Sequence, residues 1–192
     1  MPPPLPPVHT HLAIEAELPA GHVRFVRERL RLPMGLEASF GWLRHPPSVL
    51  VVPRRADGRW LVLRRYRPAV DRWVLEFPSG VLLQGESSAD GGARLLRQLT
   101  GHGGRRWQAL GRLRPNPGYS DEHMTLGLIE VEPAGGVQGD PADVAGTADG
   151  IQDELQVCTL HELESALERL EEPLDGRSVS AWLLAKLRGE WG

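Results

Sequence analysis

One stretch constrains this chain more than any other: residues 80–102, GVLLQGESSADGGARLLRQLTGH, a loop leading into a helix. It follows the strand-like run RWVLEF and the breaker Pro78-Ser79. Ser87 and Asp90 resemble a capping box, so the helix starts there. Gly101 suits the left-handed residue that ends a helix, which places the last turn at Thr100. Ala89, Ala93, Leu96 and Thr100 follow the i, i+4, i+7, i+11 spacing of a core face, with Leu95 and Leu99 as a neighbouring apolar stripe. Gly91 and Gly92 each cost about 1 kcal/mol of helix preference against alanine. They read either as sites of close packing or as a record of relaxed selection.

Around this unit the pattern is mainly β. Strands are expected over residues 22–32, 36–43, 48–53, 59–66 and 72–77, then near 106–113, 122–132 and 155–158. Ala56-Asp57-Gly58 marks a turn. Thr159 and Glu162 read as a second capping box, opening a helix to about residue 171, and a last helix covers 177–188. Residues 133–150, rich in Gly, Ala, Pro and Asp, read as a flexible loop. No internal repeat is present. Strands with few helices give an α+β class. The division expected is a Pro-rich flexible arm over 1–21, N-terminal strands over 22–45 and a main domain over 46–192.

Composition narrows the function classes. With 41% hydrophobic and 24% charged residues, the chain reads as an ordinary globular protein. A net charge of −3 argues against a nucleic-acid binder that relies on a general positive field. Lys186 is the single lysine among 22 basic residues, so arginine dominates. One cysteine, Cys158, excludes a disulfide framework within the chain and a Cys-rich zinc site; its setting suggests a buried or half-buried strand residue. No apolar run is long enough for a membrane span, and MPPPLPPV lacks the features of a signal peptide. A cytoplasmic location is the expectation.

The stretch from Gly80 resembles the Nudix box, G-x5-E-x7-R-E-U-x-E-E-x-G-U, with U a bulky apolar residue. Gly80, Glu86, Arg94, Leu96 and Gly101 match at the right spacing. Arg44-His45-Pro46, SVLVVP, RRYRP, LEFPSG, the segment Pro117-Gly118-Tyr119-Ser120-Asp121-Glu122 and Asp153-Glu154 are similar to the ADP-ribose pyrophosphatase branch of that family. The resemblance covers roughly residues 22–188. It implies a Nudix fold, an α/β/α sandwich around a mixed sheet with an N-terminal strand extension. It also implies a homodimer paired through residues 22–43, Mg²⁺ as cofactor, and a nucleoside diphosphate sugar as substrate.

The departures bear on chemistry. At the three glutamate positions this chain has Leu95, Gln98 and Leu99, and His102 stands where the last apolar residue belongs. Positions 95, 98 and 99 are i, i+3 and i+4, one helix face. In the family this face gathers carboxylates around Mg²⁺, which neutralises the diphosphate and helps activate water. Leucine offers no oxygen and Gln98 one neutral carbonyl. Loss of that metal costs roughly a thousand-fold or more in rate. Leu95 and Leu99 are therefore expected to fill or narrow the former metal pocket, with Mg²⁺ binding weak or absent.

By the same resemblance, the Ser79 backbone carbonyl is a metal ligand, and Glu122 is the site of any residual catalytic role. Glu86, Arg94 and Gly101 read as the scaffold of the box. Arg65 and Arg67 share one face of a strand, and the arginine fork suits phosphate, so they and the Ser79-Gly80 backbone are candidate ligand contacts. Arg97 is a further candidate. Glu76 reads as an internal hydrogen-bonding partner. Trp42 is kept as a base-stacking candidate, the other strand tryptophans reading as core or interface residues. The histidines lack metal-ligand spacing of the H-x3-H kind; His102 and His123 flank the expected cleft.

The expectation is a Nudix-type protein that binds a nucleotide-like small molecule and has lost most Mg²⁺-dependent hydrolysis. Two alternatives stand beside it: an active hydrolase of ADP-ribose-type diphosphates with a non-standard metal site, and a non-catalytic dimeric interaction protein.

Overall fold

A computed structural model describes residues 8–132, 153–169 and 174–189. The expected loop over 133–150 and the first seven residues of the Pro-rich arm lie outside the described residues. The chain divides into two compact units: Met1–Pro46 with Arg114–His123, and Pro47–Leu113 with Met124–Gly192.

The first unit is an antiparallel sheet in the order β1-β2-β3, with β1 Thr10–Ala20, β2 Val23–Arg31 and β3 Glu37–Arg44. On β2, Val26, Glu28 and Leu30 alternate as buried residues, in register with Trp42, Phe40 and Ala38 of β3. The arm expected over 1–21 thus contains an eleven-residue strand. Leu12, Ile14, Ala16 and Leu18 of β1 alternate at period 2 as a strand should, although most of its side chains are exposed; its ladder to β2 holds it. Segment 114–123 groups with this unit and not with the main domain expected over 46–192. Leu43 N donates to Tyr119 O (2.8 Å), Asp121 N to Leu43 O (3.1 Å) and His45 N to Asp121 Oδ1 (2.7 Å). Such long-range backbone bonds leave no local signature in the sequence.

The second unit contains β4 Ser48–Arg54, β5 Trp60–Arg67, β6 Arg72–Glu76, β7 Ser79–Val81, α1 Ser88–Thr100, β8 Gly104–Leu113, β9 Met124–Val131, β10 Glu154–Cys158, α2 Leu160–Arg169 and α3 Gly176–Leu187. Its strands run β10-β5-β4-β9-β8, with β6 beside β5 and β7 beside β4. The β4–β9 pair is parallel and the others antiparallel, so the sheet is mixed. β4 is buried at every position but its last, as a central strand covered on both faces must be. Its side chains alternate between two cores. Leu50 and Val52 pack with Leu163 of α2 and with Ala181 and Ala185 of α3. Val51 packs with Leu96 of α1, Leu61 and Ile129. Because neighbours along a strand face opposite ways, α1 lies on one face and α2 with α3 on the other. This is the expected α/β/α sandwich.

Local chemistry sets the helix ends. Asp90 N donates to Ser87 Oγ (3.1 Å) and Ser87 Oγ donates to Asp90 Oδ2 (2.6 Å). Gly101 closes α1 at φ +71°, its N–H bonded to Arg97 O (2.8 Å). At α2, Glu162 N donates to Thr159 Oγ1 (3.2 Å) and Thr159 N to Glu162 Oε2 (2.7 Å), a reciprocal capping box. The two glycines of α1 serve close packing. A Cβ on Gly91 would fall 2.3 Å from Leu82 Cδ2, and one on Gly92 2.7 Å from Trp107 Cζ3. Cys158 is half-buried on β10, and burial pushes its thiol pKa up.

Candidate functional site

The box spans β7, the loop 82–87 and α1. Glu86 and Arg94 clamp loop to helix through a fork-to-fork pair: Arg94 Nε to Glu86 Oε1 and Nη2 to Glu86 Oε2, both 2.7 Å. Arg94 Nη2 also donates to Val81 O (3.0 Å), and Leu83 N donates to Glu86 Oε2 (2.9 Å). The Arg94 guanidinium, helped by the Leu83 N–H, holds the Glu86 carboxyl down at a pKa of about 2. Glu86 raises that of Arg94 in turn. Both charges are spent inside the loop.

The three positions of the metal face behave differently. Leu95 is 7% exposed and lies against Gly80; a Cβ built there would sit 2.7 Å from Leu95 Cδ2. Leu99 is half-buried. Gln98 is exposed, and its one oxygen accepts from Arg94 Nη1 (3.0 Å). Ser79 is buried on β7 and in register with Leu50. Mg²⁺ needs about six oxygens in a tight octahedron. Two leucines and an amide already engaged by a guanidinium do not fit that ion. Among the described residues no group of three His, Cys, Asp or Glu is placed to hold a metal.

Arg65 and Arg67 share a face of β5, and each is matched to a carboxylate. The Arg65 fork grips Asp153, with Nε to Oδ1 at 2.8 Å and Nη2 to Oδ2; the two side chains are 8% and 5% exposed. Arg67 grips Glu76 in the same bidentate manner, which raises the Arg67 pKa. Glu76 is 2% exposed, and Arg177 Nη2 stands 3.8 Å from it. The Arg67 side chain is 38% exposed, so it keeps an outward edge. Sequence reasoning missed Asp153 as a partner of Arg65. The signal would have been the pairing of β10 with β5, in which Glu154 faces Arg64.

Glu122 belongs to the first unit, whereas the box belongs to the second. Glu122 is 6% exposed, with Oε1 3.9 Å from His45 Nδ1 and its N–H on Ser120 Oγ (3.1 Å). Trp42 is half-buried in the first unit, whereas Trp60 is core in the second. His102 Nδ1 is 2.7 Å from Thr100 O, beside the α1 terminus, and His123 is exposed. Arg97 is exposed on α1.

The NUDIX domain family model matches residues 44–183, most of the chain and all of the box. The chain belongs to the Nudix family. Among its relatives, an ADP-ribose pyrophosphatase of Bacillus subtilis (strain 168) is 26% identical over 103 residues, 54% of this chain and 56% of that protein. An ADP-ribose pyrophosphatase of Mycobacterium tuberculosis (strain ATCC 25618 / H37Rv) is 32% identical over 110 residues, 55% and 53%. A methanol dehydrogenase activator of Bacillus methanolicus is 26% identical over 122 residues, 62% and 66%. The chain thus spans between about half and two thirds of the length of these relatives. A crystal structure of an ADP compounds hydrolase superposes with a TM-score of 0.74 at 22% identity, covering 95% of each chain, which establishes the shared Nudix fold.

Proposed function

We propose that this Nudix protein binds a nucleoside-diphosphate-type ligand and lacks ordinary Mg²⁺-dependent hydrolysis. The observation that carries the reading is the metal face itself. Leu95 is packed on Gly80, Leu99 is half-buried, and the Gln98 oxygen is held by Arg94. No side-chain carboxylate remains there to neutralise a diphosphate or activate water. The ligand class follows the ADP-ribose pyrophosphatases that the chain resembles. A ligand anion would meet guanidinium groups in place of metal: the outward edge of Arg67, and Arg97 on the exposed side of α1. Arg65, matched to Asp153, supports the sheet from within.

The reading includes a homodimer paired through residues 22–43. Its support is the exposed apolar surface of the first unit, with Phe25 and Phe40 each 43% exposed and Leu36 65%. Light scattering on the full chain tests this directly.

The deciding experiment is ADP-ribose cleavage followed by chromatography for AMP, with excess Mg²⁺ and then Mn²⁺. The triple change Leu95→Glu, Gln98→Glu, Leu99→Glu runs alongside. The proposal expects AMP only from the changed protein. Native turnover in the ordinary enzyme range would overturn it.

A further inference from the structure

The first unit carries a histidine pair that the Nudix reading leaves unused. His9 immediately precedes β1 and His11 is its second residue. An H-x-H spacing on extended chain puts both rings on one side. Their Nε2 atoms are 3.3 Å apart, with the rings edge-to-face and centroids at 4.9 Å. That separation lies within hydrogen-bond reach, at its long end. It matches the ~3.3 Å between two nitrogens that each bind one Zn²⁺ at about 2.0–2.1 Å in tetrahedral geometry.

The support behind His11 points the same way. Its Nδ1 is 2.7 Å from Glu28 Oε1, and Glu28 is 4% exposed on β2. A carboxylate accepts only from a protonated nitrogen, so the contact assigns the hydrogen to Nδ1, and the neutral form of the ring then has its lone pair on Nε2. Metal-binding imidazoles are oriented and made more basic by such a carboxylate. The other oxygen, Glu28 Oε2, is buried and accepts no hydrogen bond, with Arg44 Nη2 3.5 Å away. The buried carboxylate is therefore aimed at His11. Both histidines line a cleft of about 520 Å³ within this unit, together with Trp42, Arg114, Tyr119 and Asp121.

We propose that His9 Nε2 and His11 Nε2 form a two-histidine site for a borderline divalent metal, with Zn²⁺ as the reference ion and Glu28 as the orienting carboxylate. Among the described residues no third side chain completes the set. Water or a small donor molecule in the cleft takes the open positions. Imidazole selects Zn²⁺ or Cu²⁺ over Mg²⁺, so the site is chemically distinct from the box.

The test is calorimetric titration of the full chain with Zn²⁺ in excess Mg²⁺. One ion per chain is expected. His9→Ala and His11→Ala should each weaken binding at least tenfold, and Glu28→Gln about 10–100-fold. The His9 side chain is only half-buried, so His9→Ala keeps the test valid even where Glu28→Gln unfolds the sheet. Cu²⁺ supplies a second readout, because the Trp42 ring lies 6.3 Å from that of His11. Quenching by Cu²⁺ should fall in Trp42→Phe. Absence of Zn²⁺ binding, binding that survives both histidine changes, or half an ion per chain would each overturn the proposal.

Discussion

Leu95 is seated on Gly80, its Cδ2 2.7 Å from the point where a side chain on that glycine would begin. The contact joins the first residue of the box to the helix position where the Nudix box pattern has glutamate. An apolar side chain there gains by covering β7, whereas a carboxylate would lose its hydration unless a cation met it. The substitution thus does more than remove an oxygen, because it closes helix onto strand.

Restoring the acids should therefore cost stability and then make it metal-dependent. Leu95→Glu buries a carboxyl and should destabilise the fold by about 1–3 kcal/mol. At ~2–4 °C per kcal/mol for a chain of this size, melting should fall by several degrees. In the triple glutamate variant, Mg²⁺ should restore part of that loss, while the native protein should melt at the same temperature with or without it. A Mg²⁺-dependent rise in the native protein would count against the proposed function.

The Glu86–Arg94 pair predicts an acid response. The Glu86 carboxyl is held at about 2 in the fold, against an ordinary value of 4.5, because Arg94 and the Leu83 N–H favour its ionised form. Its contribution is complete above the ordinary value and disappears as pH falls toward 2. The urea midpoint of the native protein should drop over that window. Glu86→Gln should be less stable at pH 7 by about 1–3 kcal/mol, and its midpoint should change less with acid. Parallel pH profiles for the two proteins would contradict this.

Arg65 and Arg67 look alike in sequence and should separate on mutation. Arg65→Ala leaves Asp153, 5% exposed, without its partner and should cost about 3–5 kcal/mol. Arg67→Ala should cost less, since Arg177 still faces Glu76 and Arg67 is partly in solvent. By the proposed function, Arg67→Ala should also weaken ADP-ribose binding more than Glu86→Gln does. Calorimetry on the three variants checks both claims, and equal binding losses would erase the distinction between contact and scaffold.

What the sequence revealed was local. Ser87, Asp90 and Gly101 announced the ends of α1 because caps are chosen by residues within a few positions of one another. Thr159 and Glu162 did the same for α2. The 48–53 run SVLVVP announced a buried strand because every side chain in it is apolar or small. The Asp153 partner of Arg65 and the stitching of 114–123 to β3 were hidden, since each depends on chain distant in sequence. β1 did carry a period-2 apolar row, Leu12, Ile14, Ala16 and Leu18, and that row lies mostly exposed instead of in a core. His9 and His11 lack the helical H-x3-H spacing, and it is extended chain that brings i and i+2 together.

Close packing of a ring against two glycines of the second unit gives the last prediction. Trp107 of β8 lies across Gly127 of β9 and Gly92 of α1. A Cβ on Gly127 would fall 2.1 Å from Trp107 Cη2, and one on Gly92 2.7 Å from Cζ3. The half-buried ring packs against the core of Val51, Leu61, Leu96, Ile129 and Val131, which limits its room to move. Gly127→Ala should therefore cost about 1–3 kcal/mol or more through overpacking. Trp107→Leu should also destabilise, by removing ring contacts. Together they should be far less harmful than their sum, because the smaller side chain vacates the space that the new methyl needs. Urea unfolding of the two single variants and the double variant measures the coupling. Additive losses would show that the ring does not bear on Gly127 and that the small residue serves another purpose.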